Sequence, residues 1–255
     1  MNRSVASRAF LIALALIPAI PILAGFLITS HSASAGPAVA GYNPTAQTSQ
    51  LTQHPPSEQG ATVAQVVQRT IMRAAPGGRK VAVLRTRTEF GSPQTLWVVD
   101  RAPGWLGVIS PLAGNGRTGW IPSSAAQLSP DEWRIQVSLS RKRLTIFQGA
   151  GVRQRYTVAI GMPSAPTPTG RFAVTDRLST GDPSGPYGCC ILALTARSPH
   201  AIQGWNGGDR IAIHSTPDAS SIGEPVSHGC VRLSLAAGRW MMNHIPLGTP
   251  TLITT

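Results

Sequence analysis

Cysteine is scarce in this chain of 255 residues, which contains only Cys189, Cys190 and Cys230. In an exported protein, an odd number of cysteines leaves at least one free thiol or requires an intermolecular bridge. No cysteine lies near the N-terminal segment described below, which excludes anchoring as a lipoprotein by that route. The unpaired thiol is the first indication of chemistry.

Acidic residues and lysine are also few. Ten Asp and Glu stand against 22 Lys and Arg, the formal charge is +12, and Lys80 and Lys142 are the only lysines. The basic residues are scattered rather than clustered, so nucleic acid is not the expected partner. An anionic cell wall or membrane surface fits the charge. A genome biased toward arginine codons explains it equally well. The 42% hydrophobic fraction indicates a folded chain.

The first 61 residues resemble a targeting segment and a spacer. Arg3 and Arg8 precede an apolar stretch over residues 9–28, and a small-residue site ends at Ala35. Residues 1–35 are therefore interpreted as a signal peptide cleaved after Ala35, with a retained membrane anchor as the alternative. Residues 36–61, rich in Ala, Gly, Pro and Ser, are interpreted as a flexible linker. The expected location is extracytoplasmic, either secreted or at the cell wall or the outer face of the plasma membrane.

Residues 62–128 predict a small all-β barrel, because short alternating runs are separated by glycine-rich turns. The Gly-Trp pairs ending in Trp105 and Trp120 resemble those of bacterial SH3-like domains. That resemblance implies a module that binds or positions the wall. The alternative is that both tryptophans only fill the barrel core.

Residues 133–255 predict a second, mostly β domain. Alternating strand patterns recur, and residues 134–140 and 143–147 form a predicted hairpin with a two-residue turn. One helix is expected from Leu235 to His244, with Ser234 as its N-cap. The predicted fold class is therefore mainly β: a β-sandwich with one short helix, preceded by a small SH3-like β-barrel.

The candidate chemistry lies in two stretches of this second domain. A strand over residues 211–213 delivers His214 to its end, and Cys230 enters another apolar run 16 positions later. Adjacent cysteine and histidine side chains are the minimum for thiol nucleophilic catalysis. Gly229 leaves space beside the thiol, and its N–H, with that of Cys230, is suited to bind a developing oxyanion.

Other uses of these residues are less well supported. A zinc site built from His214, His228 and Cys230 lacks a CxxC or HExxH motif or an acidic partner, so no metal and no cofactor are expected. Cys189 and Cys190 form either a vicinal disulfide or two thiols, and in both cases a packing role is favoured over catalysis.

The string Ser227-His228-Gly229-Cys230-Val231-Arg232, preceded by residues 211–214, resembles the signature of the L,D-transpeptidase (YkuD-type) catalytic domain. Residues 160–161 and 167–172 resemble a further segment of that family, and residues 185–188 and 207–210 resemble its actinobacterial branch. The resemblance covers about residues 133–255. Two departures stand out: many members have Gly at the position of Ser215 and Asn at that of Arg232.

The resemblance implies a role for each site residue. Cys230 is the nucleophile and His214 its general base, oriented by the Ser215 carbonyl. The backbone N–H groups of His228, Gly229 and Cys230 form the oxyanion hole. The remaining candidates are orienting or substrate-contacting residues, with Tyr187 as the candidate lid tyrosine: Ser215, Ser227, Arg232 and Tyr187.

The resemblance also implies a reaction on peptidoglycan stem peptides. A tetrapeptide donor acylates Cys230 as a thioester and releases D-Ala, and the diamino-acid amine of another stem accepts the acyl group in a 3→3 cross-link. Two alternatives stay open. One is an L,D-carboxypeptidase of the same fold, in which water resolves the thioester, and the other is a non-catalytic wall-binding protein.

Overall fold

A computed structural model describes residues 60–200 and 204–255, all within one compact unit, Thr52–Thr255. The predicted signal segment and all but the last two residues of the predicted linker lie outside the described residues. Within the described ranges, the one α-helix is too short and too polar to cross a membrane.

Seven antiparallel strands form the first sheet. In chain order they are β1 (Ala61–Val66), β2 (Thr70–Arg73), β3 (Lys80–Leu84), β4 (Thr95–Ala102), β5 (Trp105–Ile109), β6 (Thr118–Pro122) and β7 (Ala126–Asp131). The strand order is β3-β2-β6-β5-β4-β1-β7. Trp105 and Trp120 are half-buried and lie outside the sheet's buried apolar core, which is built from smaller side chains. They therefore do not fill that core, and the SH3-like resemblance stays a prediction.

Ten strands and one α-helix lie in the described residues 133–200 and 204–255. They are β8 (Trp133–Ser138), β9 (Arg143–Gln148), β10 (Gly151–Thr157), β11 (Ile160–Gly161), β12 (Gly170–Ser179), β13 (Cys190–Arg197), β14 (Arg210–Thr216), β15 (Pro225–Ser227), β16 (Val231–Ser234), α1 (Leu235–His244) and β17 (Pro250–Thr254). Eight of the strands form one sheet, in the order β10-β9-β8-β17-β12-β13-β14-β16, and β11 pairs with β15.

Strand β12 joins the two halves of this large sheet. Its first four residues pair with β17, and from Val174 onward it pairs with β13. Apolar side chains of β8 and β9 share one buried core with those of β13, β14, β16 and α1, so the two halves of the sheet face each other. The prediction of a mainly β fold with one helix is confirmed.

Helix α1 occupies the predicted range. The Ser234 side chain accepts a hydrogen bond from the Ala237 N–H at 3.3 Å, which satisfies one of the amides that a helix N-terminus leaves unpaired. The predicted two-residue turn between β8 and β9 is wrong. Leu139 donates its N–H to Thr254 instead of extending the hairpin, so four residues, 139–142, connect the strands.

Candidate active site

Two neighbouring parallel strands bring the candidate nucleophile and base together. Strand β14 pairs with β16 so that Ile213 lies beside Val231 and His214 beside Arg232. Because side chains alternate along a strand, the residues between the core positions point to the opposite face of the sheet. Cys230, which directly precedes β16, therefore shares a face with His214 and packs outside the main core.

The Cys230 thiol is almost fully buried, with 2% of the residue exposed. The Ala212 N–H donates to its sulfur at 3.4 Å. Burial raises the pKa of the Cys230 thiol to about 11, against the lowering effects of the Ala212 N–H and the Arg232 charge. At neutral pH the side chain is therefore a thiol and not a thiolate.

The His214 imidazole has a fixed tautomer. Its Nδ1–H donates to the Ser215 carbonyl at 2.8 Å, and since a carbonyl only accepts, Nε2 is the basic nitrogen of the ring. Burial, with a smaller contribution from the Arg232 charge, lowers the pKa of His214 to about 4, against the raising effect of the Ser215 hydrogen bond. The candidate base and nucleophile are thus both neutral in the resting protein.

A tight turn presents the sulfur at the start of β16. Gly229 has φ +111°, in the region that favours glycine, and a Cβ there would lie 2.8 Å from Ile211 Cδ1. The Ser227 hydroxyl donates to the Cys230 carbonyl at 2.5 Å and accepts the Gly229 N–H at 3.1 Å. Ser227 therefore braces the turn. The Gly229 amide, a predicted oxyanion donor, is engaged by Ser227 in this state.

Tyr187 covers the imidazole. The two ring centroids lie 4.8 Å apart at an interplanar angle of 57°, and the tyrosine packs in the same apolar cluster as Cys230. Burial raises the pKa of the Tyr187 phenol. Two further candidates belong to the same stretch: Arg232 is half-buried and acts electrostatically on His214 and Cys230, and His228 is exposed.

Cys189 and Cys190 form a vicinal disulfide behind the site. The Cys189 sulfur lies 3.4 Å from the hydroxyl of Ser215, the residue whose carbonyl holds His214. This resolves the alternative that the sequence left open. Cys230 carries the one thiol that is not in a disulfide.

Several residues at the site were not predicted from the sequence. Trp205 packs against Cys230, and Phe90, in the loop between β3 and β4, packs against Trp205. The tryptophan follows a glycine in the loop before β14, which was the available signal. Phe90 lies 115 positions before Trp205, and no local pattern indicates such a contact.

Residues 132–253 match the YkuD family model, described as the L,D-transpeptidase catalytic domain. This segment is similar to an L,D-transpeptidase catalytic domain. The chain is 30% identical over 122 residues to YkuD of Bacillus licheniformis, covering 48% of this chain and 66% of the relative. It is 31% identical over 121 residues to YkuD of Bacillus subtilis, covering 48% and 65%. The matched region thus spans slightly less than two thirds of these relatives' length.

Solved L,D-transpeptidases give looser matches. The Mycobacterium smegmatis enzyme is 20% identical, with a TM-score of 0.38 over 59% of this chain and 90% of that chain. One from Mycobacterium tuberculosis is 20% identical, with a TM-score of 0.41 over 54% and 72%. Assignment of the L,D-transpeptidase domain to an actinobacterial branch stays a prediction.

Proposed function

We propose that this protein is a peptidoglycan L,D-transpeptidase that forms 3→3 cross-links through a thioester on Cys230. One observation carries the proposal: a buried thiol and an imidazole of fixed tautomer share a face of two paired strands. That arrangement supplies the nucleophile and base of acyl transfer. It lies within the segment that matches the L,D-transpeptidase domain.

The first half-reaction acylates the enzyme. Nε2 of His214 takes the Cys230 proton while the sulfur attacks the carbonyl between the third stem residue and the terminal D-Ala. Because both side chains are neutral at rest, proton transfer accompanies attack and does not precede it. The imidazolium then protonates the departing D-Ala nitrogen, the C–N bond breaks, and a thioester remains.

The second half-reaction returns the thiol. The side-chain amine of another stem attacks the thioester carbonyl and gives up a proton through His214 to the departing sulfur. A new amide, the 3→3 cross-link, replaces the C–S bond. Water in place of the amine would yield a trimmed tripeptide, which is the carboxypeptidase alternative.

Neighbouring groups act on charge and orientation in this scheme. The Arg232 cation favours the thiolate and disfavours imidazolium, since it lowers the pKa of both Cys230 and His214. In this scheme the backbone N–H groups of His228, Gly229 and Cys230 bind the oxyanion that forms during attack. The Gly229 amide must exchange its bond to Ser227 for one to the substrate. Tyr187 must move for a stem peptide to reach the imidazole that it covers.

A muropeptide assay tests the proposed reaction. Purified protein is incubated with disaccharide-tetrapeptide, and the products are analysed by liquid chromatography and mass spectrometry. We expect a dimer whose mass is that of two donors less one D-Ala. Cys230→Ala should form none, and His244→Gln, which alters an exposed histidine on α1, should behave as the unmodified protein.

The other outcomes of this assay separate the alternatives. Tripeptide monomer without dimer would replace the transpeptidase with the carboxypeptidase. Unchanged dimer formation by Cys230→Ala would refute the assignment of Cys230 as the nucleophile. No turnover by the unmodified protein at all would leave only the wall-binding alternative.

We further propose that the protein acts outside the cytoplasm, on the anionic wall. The N-terminal charge and apolar pattern and the +12 formal charge support this. Sequencing the N-terminus of the native wall or medium fraction should give Gly36. Recovery of Met1 or Asn2 in the membrane pellet would indicate a retained anchor instead.

A further inference from the structure

The loop between β3 and β4, residues 85–94, reaches from the first sheet to the active site. Its Phe90 ring lies 5.2 Å from the Trp205 ring, centroid to centroid, at an angle of 38°. The neighbouring Glu89 carboxylate forms an ion pair with the buried Arg210, the first residue of β14. The segment 205–210 is thus contacted at both ends by this loop: Phe90 packs on Trp205 and Glu89 pairs with Arg210.

Arg210 is held from several sides, so its position is well defined. Its N–H donates to the Gly207 carbonyl at 3.0 Å, which closes the turn after Trp205. Its guanidinium donates to the Leu194 carbonyl at 2.8 and 2.6 Å and to the Thr175 hydroxyl at 2.6 Å. The Glu89 carboxylate supplies the opposite charge that a buried guanidinium requires.

Trp205 carries a donor that the resting protein leaves unused. The residue is 8% exposed and packs in one cluster with Cys230 and Phe90. Within the described part of the chain, its buried Nε1–H has no hydrogen-bond partner of ordinary geometry. A buried donor without a partner costs free energy and requires an explanation.

The sulfur of Cys230 supplies that explanation. The indole N–H lies close enough to this sulfur to lower the pKa of the thiol. A neutral thiol is a weak acceptor, whereas a thiolate accepts a charge-assisted hydrogen bond that is about twice as strong as a neutral one. The donor is therefore satisfied only when the sulfur becomes negative, which happens during attack.

We propose that Trp205 donates its indole N–H to the thiolate form of Cys230, and that Phe90 and Glu89 are positioning residues that hold the indole at the sulfur. The inference deepens the proposed function and rests on Cys230 as its nucleophile. The first sheet then has a share in activating the nucleophile, from a loop more than 100 residues away in sequence.

Besides the Ala212 N–H that donates to the Cys230 sulfur, three other side chains lie on its face or in its cluster. His214 faces it from β14, Arg232 belongs to β16, and Tyr187 lies in the segment before β13. Replacing Trp205 with phenylalanine removes the N–H and leaves these three side chains in place. A change in thiol acidity in this variant therefore reports on the indole.

The test is the pH dependence of Cys230 alkylation. Iodoacetamide is applied from pH 6 to pH 11, and the rate is followed by mass spectrometry of the Cys230 peptide. In Trp205→Phe we expect the apparent pKa to rise by about one to two pH units, which makes alkylation at pH 8 at least about tenfold slower. Trp240→Phe, which alters a half-buried tryptophan on α1, is the matched control and should leave the pKa unchanged.

The pH profile separates acidity from access. The midpoint of the unmodified protein lies near pH 11, so its alkylation rate begins to level off at the top of the range. A change in access multiplies the rate by one factor at every pH, whereas a raised midpoint removes the levelling below pH 11. A Trp205→Phe profile that still levels off near or below pH 11 would overturn the proposal, whatever happens to the rate itself.

The positioning role is tested by combining substitutions. Phe90→Leu should raise the midpoint of the alkylation profile by less than Trp205→Phe does. Phe90→Tyr, which keeps the aromatic ring, should leave the midpoint at the value of the unmodified protein. Glu89→Gln should act in the same direction as Phe90→Leu. In the Trp205→Phe background, neither loop substitution should raise the midpoint further. A full additional effect there would show that these residues do not act through the indole.

Alkylation requires no peptidoglycan, so the two proposals fail separately. A raised midpoint in Trp205→Phe, together with no muropeptide product from the unmodified protein, would support the proposed hydrogen bond and refute the proposed transpeptidase activity. Normal muropeptide product together with an unchanged midpoint in Trp205→Phe would support the transpeptidase activity and refute the hydrogen bond.

Discussion

At the scale of the residue, the fold keeps His214, the proposed base, uncharged. Burial lowers the pKa of His214 to about 4, whereas an unfolded histidine has a pKa near 6.5. Between these pH values the unfolded chain binds more protons than the folded one. The contribution to stability is thus complete above pH 6.5 and is lost as the pH falls toward 4.

This titration predicts a specific acid sensitivity. Roughly 3 kcal/mol of unfolding free energy should disappear between pH 7 and pH 4 because of His214 alone. Urea unfolding at both pH values should show a smaller loss in His214→Gln than in the unmodified protein, and His244→Gln should keep the full loss. Equal losses in all three proteins would show that the imidazole is not held neutral.

At the scale of the element, α1 is packed against β14, the strand that carries His214. Gly238 lies in the middle of the helix, and a Cβ there would lie 2.7 Å from the Ser215 Cβ and 3.4 Å from the Cys190 Cβ. The Ser215 carbonyl holds His214 in place. The glycine therefore permits the close approach between helix and strand that fixes the site.

Gly238→Ala should consequently destabilise the protein. Alanine is favoured over glycine in a helix by about 0.5–1 kcal/mol, but a core with no room for an added methyl group loses about 1–3 kcal/mol. We expect the urea midpoint to fall and the rate of cross-linking to fall with it. Ala236→Gly, at an exposed position of α1, is the control, because it measures the difference in helix propensity between alanine and glycine without a packing effect. A more stable Gly238→Ala protein would contradict this packing.

The sequence predicts an element well when the residues that determine it are close together in the chain, and poorly when they are far apart. Helix α1 was predicted in full, because Ser234 and the residues beyond His244 are local signals. The β8–β9 turn was misjudged, because Leu139 is drawn out of the hairpin by Thr254, over 100 residues later. The Cys230–His214 pair followed from a motif, whereas the contact of Trp205 with Phe90 depends on how two sheets pack.

At the scale of the whole molecule, the two sheets are fastened by polar contacts beside the site. Arg210 is 2% exposed, its partner Glu89 is 50% exposed, and Thr88 of the same loop donates to Asp176 on β12. Further along, the Asn115 side chain pairs with the backbone of Arg197 at 2.7 and 2.9 Å. These contacts lie within one compact unit, so we expect the two sheets to unfold together.

Glu89→Gln should weaken both sheets in one transition. The substitution leaves a buried guanidinium without this counter-charge, and exposure of the glutamate limits the expected loss to about 1–2 kcal/mol. Urea unfolding followed by fluorescence and by circular dichroism should show one transition at a lower midpoint. Glu132→Gln, at an exposed glutamate, should leave the midpoint unchanged. Two separate transitions would contradict a shared unit.

The central claim is that Cys230 is the nucleophile and His214 its base, and a carbapenem tests it most directly. The β-lactam carbonyl resembles the acyl donor and requires both the thiol and the oxyanion donors. After treatment, intact-mass and peptide-mapping spectrometry should find a single adduct, on Cys230. Cys230→Ala should form none, and His214→Ala should form it about 10²–10⁴-fold more slowly. An adduct on any other residue, or on the Cys230→Ala protein, would contradict the assignment.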